Sequence, residues 1–259
     1  MPASPLDEDA LVAQLQDFVR FPSEQSDLQE SDPAVKAFIT DCVAPVLDRM
    51  GGTYDYDDMG NLIMEAGPAD AGRSILFVGY AMTHPAAAME DPFSATLVDT
   101  PDGPAVRGRG VAEQKTALAA AIAAIGDAME GDLPGRLMFA MVTAGETGRH
   151  DAVASIAEKF SVKPDFAVVL IGTDNRIAYG NKGRIDFDVS VLGKAGHSSA
   201  PWACVNALTG AAHLIAALED VDLGVPAHPE FGPATLTPTA AASFPKATHT
   251  IPDEVRLTF

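Results

Sequence analysis

Four stretches of this chain carry the side chains that hydrolytic or metal chemistry would need. His84 stands directly before Pro85 in the run Gly79-Tyr80-Ala81-Met82-Thr83-His84-Pro85. Glu113 lies within Gly108-Arg109-Gly110-Val111-Ala112-Glu113-Gln114-Lys115. Glu146 sits in Gly145-Glu146-Thr147-Gly148, with His150 four residues beyond it, and His197 is set in Gly193-Lys194-Ala195-Gly196-His197-Ser198-Ser199-Ala200-Pro201. Imidazole nitrogens and carboxylate oxygens are common ligands of zinc, and histidine and glutamate are frequent proton carriers. If a helix starts at Glu146, the spacing puts Glu146 and His150 on one face of it. Each residue also has an ordinary reading. Glu113 would serve as a helix-start acid, His84 and His150 as loop histidines, and His197 as a neutral core histidine. His213, His228 and His249 have no motif around them.

The elements that must position these residues follow from periodicity and punctuation. Residues 11–21 carry apolar side chains at helical spacing that stops at Phe21-Pro22. Asp32-Pro33 opens a second helix to about residue 50, where Gly51-Gly52 ends it. Residues 61–65 and 74–79 read as strands, the latter almost wholly apolar, as for a strand covered on both faces. Residues 115–129 and 152–160 read as helices, and 136–143 and 166–171 as further buried strands. This alternation predicts an α/β sheet with helices on both faces.

The pattern changes near Gly180. Residues 184–192 alternate as in a strand with one wet face, a helix follows over about 205–218, and a Pro/Gly/Ala-rich stretch covers 225–246. A last strand at 255–259 completes a second, α+β unit. The expected division is 1–179 and 180–259, with the chain stopping inside the last strand.

The formal charge of −19, from 36 acidic and 17 basic residues, repels phosphate backbones and argues against a nucleic-acid partner. No apolar run reaches the ~18 residues that suggest a membrane span. The acidic start, residues 1–9, lacks the features of a signal peptide, which predicts a cytoplasmic protein. Cys42 and Cys204 stand far apart and outside any metal-ribbon spacing, so both are expected to be reduced.

Several stretches, spread along nearly the whole chain, resemble one family. Asp58-Met59-Gly60-Asn61-Leu62-Ile63 is similar to its D-x-x-G-N-L/V segment. Asp91-Pro92-Phe93 with Gly108 to Lys115 is similar to its D-P-F…G-R-G-x-x-D-x-K run. Asn181-Lys182-Gly183-Arg184, the His197 stretch and Asn206-Ala207 follow its K-G…G-x-x-x-H-S-x-x-P…N-A signature, and Ile251-Pro252-Asp253 its I-P-D. In this order the chain resembles the dinuclear-zinc amidohydrolases and metallopeptidases that include acetylornithine deacetylase, succinyl-diaminopimelate desuccinylase, aminoacylase and carboxypeptidase G. The resemblance implies a zinc-peptidase-like central sheet flanked by helices, interrupted by a smaller α+β lid that usually dimerises. It also implies that the C-terminal part of the catalytic domain lies outside this chain.

The same resemblance implies two zinc ions, a bridging carboxylate and a glutamate base acting on the amide bond of a small N-acyl amino acid or peptide-like substrate. Position by position, the chain departs from it. Tyr80 takes the place of a zinc histidine, Met82 that of its supporting aspartate, Gly145 that of the base, and Ile171 that of a carboxylate ligand. Glu113 aligns with the bridging aspartate. Glu146 takes the ligand position, or the base position if the loop has a deletion. His84 and His150 stand beside lost ligands as replacements, or as plain loop histidines.

His197 aligns with a lid histidine that crosses to the partner subunit and steadies the oxyanion, with Asn206 on the substrate. The acidic surface would not draw in an anionic substrate, so the cleft needs local positive charge, with Arg109 and Lys182 as candidates. The expected cofactor is zinc, or cobalt or manganese, in a rearranged site of a homodimeric hydrolase. The alternative is a non-catalytic, metal-free binding or regulatory homologue.

Overall fold

Asp7 begins the fold by accepting hydrogen bonds from the backbone of Asp9 and Ala10 at 3.1 and 3.2 Å, which caps α1 (Glu8–Arg20). The structure is a computed structural model that describes residues 7–25, 32–68, 70–145 and 150–259. Leu15, Phe18 and Val19 form the buried face of α1. Asp32 caps α2 (Pro33–Ala37), and the helix continues through a π-helical segment, Phe38–Val43, into α3 (Ala44–Arg49). The single helix expected from 33 to 50 thus contains a wide turn, which inward-facing Phe38, Ile39 and Val43 keep in the core.

The chain divides into two compact units, Met1–Ile177 and Ala178–Phe259. The first holds a five-stranded sheet of order β1-β2-β6-β3-β7, made from β1 (Tyr54–Tyr56), β2 (Leu62–Ala66), β3 (Ser74–Tyr80), β6 (Arg136–Val142) and β7 (Phe166–Val169). β4 (Thr96–Thr100) and β5 (Gly103–Arg107) form a separate hairpin. β3 runs parallel to both β6 and β7, while β1, β2 and β6 pair antiparallel. Residues 116–129 form α4 (Thr116–Met129) and residues 151–156 form α5 (Asp151–Ile156), the latter shorter than the 152–160 expected.

Side chains pin the register at both ends of the sheet. At the start of β3, Ser74 N and Oγ donate to the Asp165 carboxylate at 2.7 and 2.9 Å, and Asp165 N donates back to Ser74 Oγ. Beside it, Arg136 pairs with Glu65 at 2.6 Å. Burial alone would raise the Glu65 pKa, but Ser161 and Arg136 outweigh it and hold the carboxyl below its ordinary range.

At the other end Asn61 joins three segments. Its Nδ2 donates to the Ala152 carbonyl at 2.9 Å and to Asp57 at 2.7 Å, and its Oδ1 accepts from Thr143 N at 2.9 Å. Asp57 also accepts from the backbone of Met59 and Asn61 and from the Ser155 hydroxyl. These bonds, Ser155 foremost, overcome the opposing effect of burial and lower the Asp57 pKa.

β7 corrects one expectation. Its apolar sequence predicts a strand covered on both faces, yet Phe166 and Val169 are 69% and 62% exposed. It is the edge of the sheet, and among the described residues no further strand pairs beyond it. Apolar composition marks a strand for cover but does not supply the covering element.

The second unit packs α6 (Ala207–Leu218) against a sheet of order β10-β12-β8, from β8 (Asp188–Leu192), β10 (Ala240–Phe244) and β12 (Glu254–Thr258). Ala207, Ala211, Val255, Leu257 and Phe259 form its core. The strand expected over 184–192 is regular only from Asp188, opposite Thr258, although Phe187 still exchanges backbone hydrogen bonds with Phe259 at 3.0 and 2.9 Å. A two-residue pair, β9 (Gly196–His197) with β11 (Thr250–Ile251), lies outside that sheet.

Replacing Asn61 by alanine removes the acceptor of the buried Thr143 N–H and the donor to the Ala152 carbonyl. At about 1–3 kcal/mol for an unsatisfied buried group, Asn61→Ala is expected to cost about 1–3 kcal/mol. A lower urea midpoint at unchanged slope would show it.

Candidate active-site cleft

Loops from distant parts of the first unit converge at the carboxyl ends of β3, β6 and β7. After β3 the chain enters the buried segment Tyr80 to Thr83, tied to β6 by Ala81 N donating to the Val142 carbonyl at 2.8 Å. Thr83 is held from the other side, since its N donates to the Ser23 carbonyl and its carbonyl accepts from Gln25 N. His84 is exposed at the end of this anchored segment. Arg109 fixes the next residue, because its Nη2 donates to the Pro85 carbonyl at 2.5 Å.

Glu113 belongs to a π-helical turn, Val111–Lys115, that leads into α4. Gly110 starts the turn at φ 84°, and a Cβ there would meet Thr83 Cγ2 at 2.8 Å. Left-handed backbone and close approach together therefore require glycine. Gln114 Nε2 donates to the Met82 carbonyl at 2.6 Å, and the Glu113 carbonyl accepts from Gly172 N at 2.7 Å. Glu113 is thus built into the junction of the β3 and β7 loops.

Lys115 closes the same turn and has a role that its neighbours in sequence do not reveal. It is fully buried. Its Nζ donates to the Phe18 and Phe21 carbonyls at 2.8 and 2.9 Å and lies 4.5 Å from the centre of the Phe38 ring. It ties the end of α1 to the turn that carries Glu113. Burial pushes its pKa down to about 8, with Cys42, Glu113 and Glu24 opposing the fall. Burial likewise pushes the Cys42 thiol up to about 11.

The positions at which the resemblance implies ligands or a base form a different environment. Met82 is fully buried. Tyr80, Gly145, His150 and Ile171 edge a groove of about 590 Å³ walled mainly by apolar side chains, among them Val153 and Val169. Gly145 and Tyr80 are sterically linked, since a Cβ at 145 would lie 2.5 Å from Tyr80 Cγ. The tyrosine side chain thus occupies the space that any side chain at 145 would enter.

His150 precedes α5 with a left-handed backbone, φ 62°. It lies outside the helix that it precedes. Glu146 itself lies outside the described residues. Among the described residues no three His, Cys, Asp or Glu side chains gather closely enough to hold a metal ion.

In the second unit His197 is exposed on β9. Asn206 caps α6, its Oδ1 accepting from Leu208 N at 2.9 Å and Thr209 N at 3.4 Å. Lys182 Nζ donates to the Pro233 carbonyl at 2.7 Å. Cys42 and Cys204 are both free, and no described helix is long and apolar enough to cross a membrane.

The family described as the M20 peptidase dimerisation domain matches residues 179–259. The chain resembles the M20 peptidases, with the family's dimerisation domain in its last third. It is 29% identical over 201 residues to a "Probable carboxypeptidase" of Aspergillus terreus, covering 74% of this chain and 45% of that protein. It is 27% identical over 217 residues to the succinyl-diaminopimelate desuccinylase of Dinoroseobacter shibae, covering 79% and 56%. The chain thus spans about half the length of these relatives.

Among solved structures, human carnosine dipeptidase 1 superposes with a TM-score of 0.67 at 20% identity, over 96% of this chain and 68% of that one. An M20 family metallo-carboxypeptidase from Sulfolobus solfataricus gives 0.60 at 16%, over 97% and 70%. These likenesses establish the α/β fold with its dimerisation domain, and the chain covers about two thirds of the neighbours' length.

Gly145→Ala is expected to cost about 1–3 kcal/mol by overpacking against Tyr80. In a Tyr80→Ala background the cost should shrink by at least about 0.5 kcal/mol, a coupling measured by a double-mutant cycle. Lys115 predicts a pH effect. Between its folded pKa of about 8 and the ordinary 10.5, the unfolded chain binds more protons than the folded one, so stability rises with pH. Cys42 acts oppositely above its ordinary 9.0. Denaturation of wild type and Lys115→Met should therefore show the wild type gaining stability relative to the variant as pH rises above about 8.

Proposed function

We propose that this chain carries the substrate-facing cleft of a hydrolase that cleaves the amide bond of a small N-acyl amino acid or peptide-like compound. One observation supports this above the others. The His84 loop, the Glu113 turn and the segments around Gly145 and Gly172 meet outside the carboxyl ends of parallel strands, where α/β sheets take their ligands. In this reading Arg109, anchored to the His84 loop, and Asn206 contact the substrate, with Lys182 as a further cation. His197 stabilises the charge that develops on the carbonyl oxygen. The working form is a homodimer through residues 180–259 as lid, located in the cytoplasm.

Two solved neighbours are described as a metallo-carboxypeptidase and as a dinuclear metal binding peptidase. The dinuclear arrangement does not fit the described residues here. A phenol, a buried thioether and an alkyl group stand at Tyr80, Met82 and Ile171, where the resemblance calls for histidine and carboxylates. Any zinc, cobalt or manganese would have to be held by a set re-formed from His84, Glu113, Glu146 and His150. The proton work would fall to Glu146 and His197.

The apolar groove supports a second reading, a metal-free homologue that binds a small ligand and does not cleave it. Losing metal ligands commonly disables a centre, and even supporting residues count for 10- to 100-fold in affinity or activity. Elemental analysis after equilibration with zinc, cobalt or manganese separates the two readings. The hydrolase reading expects one or two metal equivalents per subunit, lost on His84→Ala or Glu146→Ala. Folded protein with none under any condition would leave the binding reading.

A further inference from the structure

His197 is held by its own loop in a way that bears on what its ring can do. β9 pairs with β11 so that Thr250 lies opposite His197. The chain then reverses, with Ala200 N donating to the His197 carbonyl at 3.0 Å. Residues 197–200 therefore form a hydrogen-bonded turn with Ser199 in its third position. Ser198 N donates to the His249 carbonyl at 2.9 Å, and the His249 ring lies nearly parallel to that of His197, at 10° and 6.3 Å between centroids.

The turn brings Ser199 back onto the imidazole. Its backbone N–H donates to His197 Nδ1 at 3.2 Å, and its Oγ lies 2.8 Å from the same nitrogen. A backbone N–H can only donate, so Nδ1 must present its lone pair. The hydroxyl rotates to suit and becomes the second donor. In a neutral imidazole the single ring hydrogen then sits on Nε2. A ring flip would replace Nδ1 by carbon and forfeit both bonds. His197 is exposed, and no described residue bonds to Nε2.

We propose that Ser199 is a positioning residue, holding His197 as the tautomer with its hydrogen on Nε2, so that the ring meets a ligand as a donor to an anionic oxygen. The opposite tautomer would turn a lone pair toward that oxygen and repel it. Which oxygen Nε2–H meets, that of the amide becoming tetrahedral or the carboxylate of an N-acyl amino acid, rests on the hydrolase reading above. The tautomer does not. A donor already aimed where charge develops needs no reorganisation during the reaction.

The test is a long-range nitrogen–proton correlation spectrum of the imidazoles in the 15N-labelled full chain at neutral pH, with His197 assigned by His197→Gln. The expected result is a protonated Nε2 and an unprotonated Nδ1. Ser199→Ala keeps the backbone donor, so its spectrum should still favour Nε2–H while showing a larger Nδ1–H fraction. Ser199→Pro removes both donors and should leave a mixture, with unchanged His213 and His228 signals reporting an intact fold. A wild-type hydrogen on Nδ1, or ring signals indifferent to both substitutions, would overturn the proposal. A protonated Nε2 in a protein that cleaves no amide upholds the tautomer and counts against the hydrolase reading alone.

Discussion

The buried carboxamide of Asn61 is the constraint on which the cleft end of the sheet depends. One side chain supplies a donor to Ala152, a donor to Asp57 and an acceptor to Thr143. It thereby joins the start of β2, the end of β6 and the beginning of α5. Asp57 completes the arrangement by accepting four hydrogen bonds from Met59, Asn61 and Ser155. A buried network of this kind is stabilising only when fully satisfied, and both Asn61 oxygen and nitrogen are.

Lys115 does related work on the other flank. Its ammonium group, with two carbonyls and a ring face as partners, joins α1 to the turn carrying Glu113. No carboxylate of the described residues hydrogen-bonds to it, so its burial is costly, which is the origin of its lowered pKa. The two devices hold the surrounding scaffold while the residues at the strand ends depart from the family pattern.

The substitutions are also not independent of one another. Gly145 accommodates the Tyr80 side chain, and Tyr80, Gly145, His150 and Ile171 border a single apolar groove. What looks in sequence like separate departures at Tyr80, Gly145 and Ile171 borders one groove in space, while Met82 is fully buried and does not line it. β7 carries that groove to the sheet edge, where Phe166 and Val169 stay exposed.

Much of the fold is legible in the order of the amino acids. Helices show in the cap at Asp32 and in apolar residues at helical spacing, and the parallel strands show in unbroken apolar runs. These are local properties, written within a few residues of where they act. The ordered motifs carry the family resemblance as well. Sequence alone does not reveal that β7 is an edge or that His150 precedes its helix. Nor does it reveal that Lys115 reaches Phe18, 97 positions away, or that Asn61 meets Thr143, 82 positions away. Those facts depend on which distant backbone groups are left unpaired once the sheet has formed. Only the tertiary structure decides that, because a buried donor or acceptor must find its partner wherever the fold places one.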